Sequence, residues 1–232
     1  NIAKPASHCP NCNYKLKWYD NIPVLSYIIL KGKCRNCRKH ITFRYTLVEL
    51  LNCLLWIACV PAFYNYGVWN VAIACVAISA LIVVFFSDNE TLTIPDSMVI
   101  TIGLCGIALL VLEIFGLGLG IGWWQRLAGC AIGFGFFALF YFGCLLILKK
   151  EGLGFGDVKL AGVCGLLLGW KSVILCILLG SVIAAFSILI QRRIHYEKGK
   201  QYPYAPYICL AAVFCLFFGE TIIDLYLGLL GV

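Results

Sequence analysis

The sequence predicts an α-helical, polytopic membrane protein: about seven transmembrane helices and a small N-terminal, zinc-binding cytoplasmic domain. Three observations predict it. The 232 residues are 62% hydrophobic and 12% charged, with a mean hydropathy of +0.93, far too apolar for a water-soluble globule. Apolar stretches follow one another from residue 45 to the C-terminus, and the one polar segment, residues 1–44, carries two C-x-x-C pairs.

Residues 1–44 form the first domain, and residues 45–232 the helical membrane domain. The polar segment is basic and holds no stretch long enough to cross a bilayer. The chain opens at Asn1 with no secretory signal pattern, as a fragment or a processed form would. Cys9-Pro10-Asn11-Cys12 and Cys34-Arg35-Asn36-Cys37 are spaced so that each presents two thiolates to one ion, with a hairpin's worth of chain between them. Four thiolates suit tetrahedral zinc, and a closed four-cysteine site is structural. The competing reading, two redox pairs, conflicts with a cytoplasmic location, where thiols stay reduced. So small a domain needs the folding free energy that a metal supplies. His8 and His40 flank the cysteines and are read as surface residues. Ten of the fourteen cysteines lie in apolar stretches, where Cys acts as a small hydrophobe.

The apolar stretches run over 45–64, 68–87, 97–115, 125–148, 158–170, 172–191 and 205–230. Most approach the ~20 residues a spanning helix needs, whereas 158–170 is short and crosses only part of the hydrocarbon or lies against other helices. If each crosses once with the basic domain inside, sixteen of the eighteen Lys/Arg fall on the inner side, and only Arg126 and Lys171 remain outside. That is the asymmetry of the positive-inside rule. The net charge of +7 is therefore a topology signal, with lipid headgroups as its partner and no role for nucleic acid.

Two acids stand at the inner ends of these stretches. Glu151-Gly152-Leu153-Gly154-Phe155-Gly156-Asp157-Val158-Lys159 places Asp157 at a helix start, among glycines that leave the backbone free of blocking side chains. An ionisable group there is a functional candidate, and an N-cap is the competing reading. Between the second and third stretches, Pro95 starts a helix near Asp96, which serves as its N-terminal cap. Asp88, at the preceding helix end, meets the negative end of the macrodipole and needs a compensating use. Two carboxylates facing one water share a proton, so that one deprotonates the water and the other polarises a peptide carbonyl.

With these features in place, the chain resembles the prepilin peptidases, membrane-embedded aspartic proteases of the GxGD type. The resemblance rests on the paired C-x-x-C motifs with Leu16 to Val24 between them, Arg44-Tyr45 leading into Leu47-Val48-Glu49-Leu50, Asp88 to Asp96, Glu151 to Lys159, and Tyr202-Pro203-Tyr204-Ala205-Pro206-Tyr207. It implies that Asp88 and Asp157 are the catalytic pair, that Gly154 and Gly156 are the motif glycines, and that Glu151 and Lys159 flank them. It further implies type IV prepilin or pseudopilin substrates, a bacterial inner-membrane location with the active site facing the cytoplasm, and, as in many members, N-methylation of the new terminus from S-adenosylmethionine. No glycine-rich nucleotide fingerprint accompanies that second activity. Three departures stand out: members usually begin with a further transmembrane helix, whereas this sequence starts at Asn1 directly inside the cytoplasmic domain; Glu90 replaces an Asp; and Ala205 replaces a Gly.

Two rival readings carry their own residues. A transporter or channel would use membrane-embedded carboxylates, and Glu220 and Asp224 serve that reading better than Glu49 or Glu113, which fall near helix ends. A zinc-dependent membrane scaffold would need no acid at all.

Overall fold

The computed structural model describes residues 8–9, 11–22, 24–149, 154–194 and 202–230. The chain divides into two compact units, Asn1–Ala58 and Cys59–Val232. Among the described residues the helices are α1 (Leu25–Ile29), α2 (Phe43–Phe63), α3 (Val68–Thr91), α4 (Asp96–Ile114), α5 (Trp123–Leu148), α6 (Phe155–Leu168), α7 (Trp170–Ile194) and α8 (Ala205–Leu230).

In the first unit the two C-x-x-C segments fold as copies of one turn. The N–H of Cys9 donates to Tyr14 O and that of Asn13 to Cys9 O; in the same pattern Cys34 donates to Lys39 O and Arg38 to Cys34 O. Asn13 and Arg38 both take the left-handed conformation that closes the turn, at φ 52 and 56. An isolated antiparallel bridge flanks each turn, His8 with Lys15 and Lys33 with His40. Asp20, whose side chain is almost fully buried, ties the segment together by accepting from Arg35 Nε at 2.9 Å and Nη2 at 2.7 Å.

The second unit is built on α6. That helix is apolar all round apart from Asp157 and Lys159 and nearly all of it is buried, as expected of an element at the centre of a bundle. It packs most extensively on α5, where Gly129 and Gly165 meet so closely that a Cβ on either would overlap the other's backbone. Small residues at such a crossing let two backbones approach without side chains between them. The core around α6 is completed by α3, α4, α7 and α8, through residues such as Leu81, Ile102, Cys176 and Ile208.

Among the described residues six helices are long and apolar enough to cross a membrane, so the chain is a multi-pass membrane protein; the expected seventh span is not confirmed. The expected stretch 158–170 is α6, whose 14 residues span only about 21 Å at 1.5 Å per residue, against a hydrocarbon core of about 30 Å. Gly169, at φ 82, ends it in a conformation that favours glycine, and α7 starts at Trp170 instead of 172. Arg126, counted above as an outer charge, is not at the surface: it is fully buried, with Nη1 on Leu167 O at 2.6 Å and Nη2 on Glu113 Oε1 at 3.0 Å.

Candidate active site and metal centre

Asp157 stands in the first turn of α6, two residues after Phe155 begins it. Gly154, extended at φ −72 and ψ 139, is the N-cap, so Asp157 is not itself the cap. Its N–H donates to Gly154 O at 3.0 Å, and its carboxylate accepts the N–H of Gly154 in return. This is half of a capping box, and a negative group suits the positive end of the helix dipole. The side chain is nevertheless buried, at 8% exposure. Beside it, a Cβ on Gly156 would stand 3.2 Å from Ile94 Cδ1, so the glycine lets the α3–α4 connection lie against the start of α6.

Asp88 arrives from the other direction. Helix α3 continues past the expected residue 87 to Thr91 and stops where Leu92 turns left-handed and donates its N–H to Asp88 O at 3.0 Å. The hydroxyls of Ser87 and Thr91 fasten this end, Ser87 to Thr93 O at 3.2 Å and Thr91 to Ser87 O at 2.9 Å. Asp88 is only 5% exposed, faces the N–H of Ala205 at the start of α8, and keeps Oδ2 buried with no hydrogen-bond partner among the described residues. A buried carboxylate oxygen without a partner is costly unless it is protonated or used. The Asp88 charge is felt at Asp157, so the two predicted acids approach each other from separate helices.

The motif around 202–207 supplies the third side. Ala205 is fully buried, and Tyr204, whose hydroxyl lies 2.9 Å from Ser181 Oγ, senses the charge of Asp157. Burial, opposed by the Ser181 hydrogen bond and reinforced by Asp157, holds the Tyr204 phenol above its usual range, so it stays protonated. Neither Tyr204 nor Ile94 was singled out by sequence reasoning; both sit inside quoted motifs, and only the fold brings them to the acids.

Other predicted residues are placed differently. Asp96 is the first residue of α4, with Pro95 in the cap position, so its expected capping role is corrected. Its exposed carboxylate instead takes Lys159 Nζ at 3.0 Å. Lys159 thus faces the surface, with its ammonium also 5.4 Å from the Phe155 ring centroid. Glu151 lies outside the described residues. Of the acids raised for a transporter, Glu220 accepts from Ser172 at 3.2 Å, and Glu113 pairs with Arg126 and accepts the N–H of Leu119 at 2.8 Å.

Cys9, Cys12, Cys34 and Cys37 converge as predicted, with all four sulfur atoms within 4.8 Å of one another. The pairs Cys9–Cys37 and Cys12–Cys34 are both 3.9 Å apart. A zinc–sulfur bond of about 2.3 Å gives a tetrahedron with edges of about 3.8 Å, so the four residues fit that ion. The backbone N–H of Asn11, then that of Cys12, draws the Cys9 thiol down to about 6, toward the thiolate a metal requires. Asn36 Nδ2 reaches Cys12 Sγ at 3.7 Å and supplies an outer hydrogen bond of the kind that orients metal ligands.

Residues 1–63 match the model of the Bacterial Peptidase A24 N-terminal domain, and residues 75–189 that of the Type IV leader peptidase family. Among curated proteins, the chain is 33% identical over 229 residues to a prepilin leader peptidase/N-methyltransferase of Aeromonas hydrophila, covering 98% of this chain and 76% of that one. It is 31% identical over 235 residues to the protein of the same name from Pseudomonas aeruginosa, covering 100% and 78%. The Myxococcus xanthus protein of that name is 36% identical over 182 residues, or 78% of this chain and 52% of its own. No solved structure matches the chain.

Proposed function

The chain belongs to the type IV leader peptidase family, and from that premise we propose that it removes the basic leader of type IV prepilins or pseudopilins and N-methylates the new terminus. The leader would be cut at the cytoplasmic face of a bacterial inner membrane. Residues 1–44 act as the cytoplasmic zinc domain and residues 45–232 as the protease. The observation that carries the reading is the burial of Asp88 and Asp157, from two helices and within electrostatic reach of one another, with Asp88 Oδ2 left without a partner among the described residues.

The chemistry is that of an aspartyl endopeptidase. Two carboxyl groups in electrostatic contact and shielded from water cannot both ionise readily, so they hold one proton between them. The ionised member takes a proton from a water set between them, and that water attacks the scissile carbonyl. The protonated member donates to the carbonyl oxygen and later assists departure of the amine. The Gly154 N–H orients Asp157, and the Ala205 N–H does the same for Asp88. Gly156 makes room for Ile94 beside the acid, and Gly154 carries no side chain to crowd the Asp157 carboxylate. A four-thiolate zinc supplies folding free energy and no reactive position. For methylation, S-adenosylmethionine supplies an electrophilic methyl group.

The test is cleavage of a purified prepilin by the detergent-solubilised chain, with Asp88→Asn and Asp157→Asn as comparisons. Each Asn keeps the shape and removes the proton exchange, so each variant should be inactive while folded. A transporter or scaffold would give no cleavage even from the unaltered chain. An active Asp157→Asn protein would refute the assignment of the pair.

A further inference from the structure

The net charge is not shared between the two units. Residues 1–58 hold nine Lys/Arg against two acids, whereas residues 59–232 hold nine of each, so the whole of the +7 lies in the first unit. The same unit leaves an apolar face in the open. Leu25, Ile28 and Ile29, at helical spacing on α1, are 50%, 64% and 65% exposed, while Tyr27 and Leu30 are half-buried behind them. An exposed apolar patch rimmed by polar residues marks an interaction surface. We propose that this face of α1, with the lysines beside it, is an interfacial anchor that docks the first unit on the anionic headgroups of the leaflet that α2 enters. The inference is independent of the peptidase reading, because no catalytic acid takes part in it.

The depth of α1 is set by its ties to α2, which begins at Phe43 and becomes a candidate membrane span at Thr46. The Tyr27 ring meets Phe43 edge-on at 5.8 Å, and the N–H of Val24, just before α1, donates to Glu49 Oε2 at 3.2 Å. The N–H of Ile41 donates to Gly32 O at 2.8 Å, and Gly32 lies so close to Tyr27 that a Cβ there would stand 2.8 Å from the ring. These contacts brace α1 against residues 41–49, the stretch over which α2 enters the hydrocarbon. A helix held at that level sinks its apolar face into the acyl boundary and presents its charges to phosphate.

The charge beside the patch has the matching sign. Lys31, left-handed at φ 52, closes α1 by donating its N–H to Ile28 O at 3.1 Å, and Lys33 follows two residues later; both are exposed. Lys33 also bridges to His40, so the positive edge runs on into the second cysteine turn, where Arg38 and Lys39 are exposed. The unit's two acids are already engaged, Asp20 by Arg35 and Glu49 by the Val24 N–H. A neutral protein surface would cover the apolar face but leave the lysines without counter-charges. An anionic leaflet accepts both.

The experiment uses the full chain in nanodiscs of phosphatidylcholine with or without phosphatidylglycerol. An environment-sensitive fluorescent amino acid replaces Ile28, and zinc content equal to that of the unaltered chain reports that the unit is folded. With phosphatidylglycerol present, acyl-brominated lipid should quench the probe and aqueous acrylamide should not. Lys31→Gln combined with Lys33→Gln should lower the ratio of docked to undocked unit about twentyfold, about fivefold for each lysine near an anionic surface. High salt should act in the same direction by screening. A probe that acrylamide quenches and lipid does not would overturn the proposal. So would a probe shielded from both, since protein, either the second unit or another copy of the chain, then covers the face. Equal lipid quenching without phosphatidylglycerol, unchanged in the lysine variant, would overturn the assignment to anionic lipid.

Discussion

Asp88 lies in the last turn of α3 and Asp157 in the first turn of α6, nearly seventy residues apart, yet the charge of one is felt at the other. Their approach follows from where two helix ends fall: Leu92 turns α3 off one turn after Asp88, and Gly154 starts α6 just before Asp157.

Such a pair sets the pH profile of cleavage. The rate should rise as the first proton leaves the pair, because only then is a base present. It should fall again as the second leaves, because the acid is then lost. The bell and its two macroscopic values belong to the pair. A profile of kcat/KM with a single ionisation across the accessible range would show that only one carboxyl takes part.

Gly156 makes a steric prediction. Its backbone is not in the left-handed region, so the cost of a side chain is contact with Ile94, 3.2 Å from the position of a Cβ. Gly156→Ala requires a shift of a few tenths of an ångström and should lower cleavage less than tenfold. Gly156→Val cannot be absorbed so easily and should lower it much further with unit folding retained. Paired Ile94→Ala should restore part of the Gly156→Ala loss; no recovery in that double variant would place the effect elsewhere.

Zinc removal should act on one unit only. The purified chain, prepared without chelator, should carry one zinc, and Cys12→Ser should lose it and unfold the first unit, because metal binding in so small a domain is folding free energy. Helical content and membrane insertion of the remainder should persist. Less than stoichiometric zinc in the unaltered protein would count against the site drawn by the four sulfur atoms.

How far the sequence carried the structure depended on whether local spacing was enough. The four cysteines were legible because C-x-x-C spacing alone makes each knuckle, and the turn around Asn13 repeats around Arg38. Asp88 and Asp157 were legible as acids at helix ends, since hydropathy marks those ends. Hydropathy also marked 158–170 as a short stretch of its own, and it is α6, ended by Gly169 after 14 residues; only its first turn, from Phe155, lay outside the expected bounds. It could not say that Arg126 folds inward: its partners Glu113 and Leu167 come from other helices. Tyr204 and Ile94 reach the site only through tertiary packing.

Arg126 carries a stability prediction. Its side chain is fully buried and Glu113 is nearly so, and the guanidinium satisfies a carbonyl at the C-terminal end of α6, where the helix has orphan acceptors. Arg126→Met leaves the Glu113 carboxylate buried without its cation and should destabilise by about 3–5 kcal/mol, the range for breaking a buried pair from one side. Adding Glu113→Leu removes the stranded charge and should recover much of that loss. Thermal unfolding in one detergent would decide, and a double variant no more stable than Arg126→Met would mean that the carbonyl contact, not the ion pair, dominates.

Asp96 provides the sharpest discrimination among the acids. It lies only eight residues from Asp88, across the short α3–α4 connection, and the sequence reads it as a helix cap and Asp88 as the functional acid. The structure separates them: Asp88 is 5% exposed, whereas the Asp96 side chain is 73% exposed and is paired with Lys159 at 3.0 Å across the surface. An exposed pair of this kind contributes about 0–1 kcal/mol. Asp96→Asn should therefore keep most of the cleavage activity and almost all of the stability, and Lys159→Gln should behave alike because it breaks the same contact. Asp88→Asn should abolish cleavage, since its buried oxygen is the one that must hold or release the proton. A folded, zinc-replete Asp96→Asn protein that fails to cleave, beside an Asp88→Asn protein that succeeds, would transfer the catalytic role to the surface acid and dissolve the pair with Asp157.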